Sequence, residues 1–107
     1  MRIVTFYLPG QVLKAEVSQA DCTVITLTNL SRKGQIPNTV ITTLNSYIRK
    51  LPAWNEAIVS RRPNPMGGSN IVIFHVSPDN NVWMRLLGTS QDLRLAYTWD
   101  ELKSMLD

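Results

Sequence analysis

Cysteine and histidine are almost absent from this chain, with Cys22 and His75 standing alone among 107 residues. A single cysteine excludes an intrachain disulfide and fits a reducing compartment, so a cytoplasmic protein is expected. One Cys and one His are too few for a zinc site of the common kind, and no metal or cofactor is expected. Long apolar runs are missing too, so we expect no membrane span. The first apolar run ends at Pro9-Gly10, too early for a secretory signal. Low-complexity segments, internal repeats and an interdomain linker are likewise lacking. The eleven cations outnumber the eight acids, for a net charge of +3 and a pI near 9.4, but they are scattered and favour anionic surfaces only weakly. Seven of the cations are arginine, which suits directed hydrogen bonding better than diffuse attraction.

What the chain does contain is hydrophobic patterning of two kinds. Arg2 to Leu8, Gln11 to Val17 and Cys22 to Thr28 are rich in β-branched and aromatic residues and are separated by Pro9-Gly10 and by Ser18 to Asp21. Three strands of an antiparallel meander are predicted. Strict alternation in the third would put Val24, Thr26 and Thr28 on one face and Thr23, Ile25 and Leu27 on the other. After a polar connector, Val40, Ile41, Leu44, Tyr47, Ile48 and Leu51 recur at helical spacing. This predicts a helix over 38–51, opened by Pro37 or Asn38, with Arg49 and Lys50 at its negative end and Pro52 as its stop.

Residues 53–62 fit either helix or strand. We favour a strand at the end of this segment, because a hairpin across Pro63 to Asn70 would set it beside the apolar run Ile71 to Val76. That run is apolar on both faces and reads as a central strand. Strands over Val82 to Leu87 and Leu93 to Tyr97 follow. A final helix should begin at Thr98, which with Glu101 forms a capping box, and bury Trp99, Leu102, Met105 and Leu106.

The expected fold is therefore α+β: one domain with a largely antiparallel sheet of about six strands and two helices packed on one face.

Catalytic sets are scarce. His75 shares a strand face with Ile71 and Ile73 and has no carboxylate or nucleophile at motif spacing, so we expect it to be structural or partly buried. Cys22, beside Asp21, lacks the electropositive neighbourhood a reactive thiolate needs and reads as a small core residue. Asp100-Glu101 suits a helix N-terminus. Met66-Gly67-Gly68-Ser69 lacks a P-loop lysine and precedes a strand, the reverse of a phosphate cradle's order, so a plain loop is preferred. An enzyme is not expected.

Binding residues are expected instead. Arg61 and Arg62 enter the breaker-rich loop. With Leu87 opposite Asp92, Arg85 would fall opposite Arg94 and Trp83 opposite Ala96. Two arginines facing each other across a sheet need a carboxylate, an anionic ligand or the Trp83 ring to offset their repulsion. Arg61, Arg62, Trp83, Arg85 and Arg94 are thus the candidate binding residues. Arginine and tryptophan are common interface anchors, and a protein partner is expected for an adaptor, inhibitor or assembly subunit. The alternative is a nucleic-acid binder in which the arginines contact phosphates and Trp83 or Tyr97 stacks on a base.

Overall fold

The computed structural model describes residues 2–31, 36–59 and 70–106. Three strands come first: β1 (Arg2–Leu8), β2 (Gln11–Val17) and β3 (Val24–Asn29). Two helices follow, α1 (Asn38–Ile48) and α2 (Trp54–Val59). Then come β4 (Ile71–Val76), β5 (Asn81–Leu86), β6 (Leu93–Thr98) and α3 (Trp99–Leu106). The strands form one sheet in the order β3-β2-β1-β4-β5-β6.

The class is α+β, but the sheet is mixed rather than largely antiparallel. β1 and β4 lie side by side in parallel, with Thr5 opposite Ile71, Phe6 opposite Val72 and Tyr7 opposite Ile73. The cause lies in the segment expected to end as a strand. Residues 54–59 are helical, so no hairpin forms with β4, which returns beside β1 after a crossover through α1 and α2. Parallel neighbours require a long crossover of this kind.

Tertiary contacts settle α2 as a helix. Trp54 and Ile58, four residues apart on one helical face, are both buried. The Trp54 indole N–H donates to the Cys22 carbonyl at 3.0 Å. The Ile58 carbonyl, near the helix end, accepts from Arg2 Nε at 3.2 Å and from Gln19 Nε2 at 3.3 Å. Donors from two other segments thus satisfy a carbonyl of the kind a helix terminus leaves open.

In β3 the strict alternation also fails. Glu16 pairs with Thr26 but Val17 pairs with Val24, leaving Ile25 as an extra residue on β3. This bulge puts Val24, Leu27 and Asn29 on the buried side, while Ile25 is 45% exposed.

The main helix follows its expected stripe, with Val40, Leu44 and Ile48 buried. Regular helix stops at Ile48. Lys50 and Leu51 continue in a tighter turn by donating to the Tyr47 and Ile48 carbonyls, and Leu51 is buried as expected. At α3 the capping box forms: Thr98 N–H donates to Glu101 Oε1 at 3.1 Å, and Glu101 N–H to Thr98 Oγ1 at 3.3 Å. Leu102 and Leu106 are its buried residues, with Trp99 and Met105 packed against the core as partly buried side chains.

The core is one continuous cluster. It joins Val4, Phe6, Leu13, Ala15, Val72, Phe74 and Met84 of the strands to Val40, Leu44, Ile48, Trp54, Ile58 and Leu102 of the helices. Cys22 belongs to it, as expected. Among the described residues no helix is long and apolar enough to cross a membrane.

Candidate functional site

Side chains alternate across a strand, so each buried core residue of the sheet has neighbours aimed the other way. On β1 those neighbours are Ile3, Thr5 and Tyr7, with Ile3 and Tyr7 each 44% exposed. On β4 they are Ile71, Ile73 and His75, and on β5 they are Trp83 and Arg85. Register aligns them into rows. Tyr7, Ile73 and Arg85 lie across β1, β4 and β5, and His75, Trp83 and Arg94 lie across β4, β5 and β6.

The β5–β6 register agrees with the expected one where Asn81 pairs with Thr98, but an irregularity between Asn81 and Trp83 shifts the rest by two residues. Trp83 pairs with Arg94 and Met84 with Leu93, so Arg85 and Arg94 do not oppose each other. A shift of two preserves each side chain's face and changes the partner of each residue beyond the irregularity. Asp92 now lies in reach of Arg85. Arg85 Nε donates to Asp92 Oδ1 at 2.8 Å and Nη2 to Oδ2 at 3.3 Å, a two-point fork. The repulsion expected between arginines is thereby avoided, and a carboxylate is the partner Arg85 takes. Arg94 Nη2 donates to Asn81 Oδ1 at 3.1 Å.

His75 is exposed rather than partly buried. Its Nε2 lies 3.3 Å from Asp92 Oδ2, and its side chain is 48% accessible. The carboxylate that no motif spacing disclosed comes from seventeen residues away along the chain. The imidazole also stacks on the Trp83 indole, with centroids 6.4 Å apart and planes within 7°.

Asp92 is therefore the hub of this corner. Hydrogen bonding from Arg85 outweighs the opposing effect of burial and holds its carboxyl below the ordinary carboxylate range, with His75 adding to the shift. The same bond to Asp92 raises the Arg85 pKa. Asp92 fixes the orientation of Arg85 and of the His75 ring, leaving indole, imidazole and guanidinium groups side by side on the sheet face.

Of the candidate residues, Trp83, Arg85 and Arg94 are brought together. Arg61, Arg62 and most of the loop that carries them lie outside the described residues. Tyr97 is placed elsewhere, with its ring edge-on to Tyr47 at 6.3 Å. Tyr7, His75 and Asp92 were missed as site residues. Alternation along β1 already put Tyr7 opposite in face to Phe6 and Leu8, but nothing local showed which face would be covered. Among the described residues no group of three or more His, Cys, Asp and Glu side chains is placed to hold a metal ion.

Compared with protein-family models, curated proteins and solved structures, the chain matches none of them.

Proposed function

We propose that this chain is a non-catalytic protein-binding module, an adaptor, inhibitor or assembly subunit, that docks its partner on the sheet face bearing Tyr7, Ile73, Trp83 and Arg85. In this reading α1, α2 and α3 all cover the opposite face, and the protein works in the cytoplasm as a single domain. One observation carries the proposal. Ile3, Tyr7, Ile71, Ile73 and Trp83 form neighbouring rows of exposed or half-buried apolar side chains on one face, beside an arginine that Asp92 already holds in place. Contiguous exposed apolar surface marks interaction sites, and an anchor held before binding loses less freedom on docking. The charges on this face are mixed, with Lys14 and Arg94 alongside Glu16 and the Arg85–Asp92 pair, which suits a protein better than a uniform polyanion.

A second proposal rests on the row of His75, Trp83 and Arg94. Three planar groups in adjacent strands resemble a stacking platform for single-stranded nucleic acid. Capture from lysate with and without nuclease, followed by mass spectrometry, separates the two. Under the favoured proposal a protein is retained after nuclease, and Trp83→Ala or Arg85→Ala weakens its binding by about 2 kcal/mol with folding intact. Capture that vanishes with nuclease, together with affinity for oligonucleotides that falls steeply as salt rises, would replace it by the second.

A further inference from the structure

The two edges of the sheet carry an inference that goes beyond the open face and does not depend on it. β3 and β6 are the outermost strands. An edge strand presents backbone donors and acceptors that template pairing with another chain. Here several of those groups are already occupied. On β3, Val24 N–H donates to Asn45 Oδ1 at 2.8 Å, and the Val24 carbonyl accepts from Asn45 Nδ2 at 3.1 Å. The Leu27 carbonyl accepts from Ile36 N–H at 3.2 Å. On β6, Ala96 N–H donates to the Tyr47 hydroxyl at 3.2 Å, and Thr98 N–H to Glu101. Asn45 and Tyr47 both belong to α1, so one helix guards both edges.

We propose that α1 keeps this chain from pairing with further copies of itself, and that Asn45 and Tyr47 are the side chains through which it does so. The buried stripe of α1 is Val40, Leu44 and Ile48, with Ile41 and the Tyr47 ring partly buried against the core. Asparagine inside a helix is a poor helix former, and its presence at position 45 is accounted for by the two-point bond to Val24. The β3 edge is also the one with most to hide, because Ile25 and Leu30 beside it are 45% and 59% exposed. Pairing of β3 with β6 of another copy would run head to tail into larger species, whereas β3 with β3 or β6 with β6 would close as a two-fold dimer.

Light scattering after size exclusion, over a hundredfold range of protein concentration, tests this on the wild type, the Asn45→Ala/Tyr47→Phe double variant and Leu44→Ala. Leu44→Ala is the control for lost stability, since it opens the core and leaves both guard side chains in place. The wild type should remain monomeric. The double variant should form dimers and larger species, with at least a tenfold rise in self-association at concentrations where circular dichroism shows it folded. Leu44→Ala should self-associate less than the double variant at equal folded fraction. A folded double variant that stays monomeric overturns the proposal. So does equal association by Leu44→Ala, which would trace the effect to instability, or edge pairing by the wild type. Should the double variant not fold, Asn45→Ala and Tyr47→Phe singly are read by the same outcomes.

Discussion

Asn45 and Tyr47, two residues apart on α1, hydrogen-bond to opposite edges of the same sheet, Asn45 to Val24 of β3 and Tyr47 to Ala96 of β6. Each helical residue turns by roughly 100°, so the two side chains project to either flank of Leu44 and Ile48. Both edges must therefore lie within reach of one helix, which requires the six strands to curl. Twist in a sheet favours such curling.

Replacing Asn45 with alanine leaves the Val24 N–H and carbonyl without their partner side chain. Unpaired, poorly solvated backbone groups cost about 1–3 kcal/mol, and urea denaturation should show a loss in this range. Tyr47→Phe removes one neutral bond and keeps the ring against Tyr97, so its loss should be smaller, about 1 kcal/mol.

Leu44→Ala and Ile48→Ala should each destabilise the fold by about 2–5 kcal/mol, since both side chains are fully buried in the shared core. Exposed Thr42, on the other side of α1, serves as the reference. Thr42→Ala should lie within about 0.5 kcal/mol of wild type in the same titration.

Asp92 is stabilised in its ionised form, so its folded-state pKa lies below the unfolded value of about 3.9. Its contribution to stability is complete above that unfolded value and is lost as pH falls through the folded one. Asp92→Asn should therefore be less stable than wild type near neutral pH, with the gap closing below about pH 4. Thermal melts of the two proteins between pH 2 and 7 check this, and a gap independent of pH would contradict it.

Thr98→Ala should cost about 1 kcal/mol by opening the capping box of α3, which has both of its reciprocal bonds in place. Loss of helical signal together with lowered stability is the expected result. Thr98→Ser, which keeps the hydroxyl, should recover most of it.

Local pattern carried much of the fold. Val40, Leu44 and Ile48 mark the buried side of α1 because a 3.6-residue repeat needs no distant partner to define it. Thr98 and Glu101 likewise disclose the start of α3, since both halves of the box lie within four residues. Breakers bounded the strands for the same reason. Residues 54–59 could not be assigned this way. Their short apolar stripe fits either structure, and the helix is held by Cys22, Arg2 and Gln19, all distant along the chain.

The candidate site divides along the same line. Face identity was legible in the sequence, because alternation sets which strand residues point together, and Trp83, Arg85 and His75 do share a face. Partners were not. The irregularity between Asn81 and Trp83 moves Arg85 from Arg94 to Asp92 by a shift of two that changes no face, and local hydrophobic alternation does not disclose it. The exposure of His75 was hidden as well, since an apolar strand such as Ile71 to Val76 shows no sign of which side stays bare. From local spacing alone, the residues determined the long helix, the α3 cap and the strand-rich halves. Only tertiary structure decided the parallel β1–β4 pairing, the bulge at Ile25, the Asp92 hub and the α1 guard, because each depends on contacts between segments whose separation in sequence carries no periodic signal.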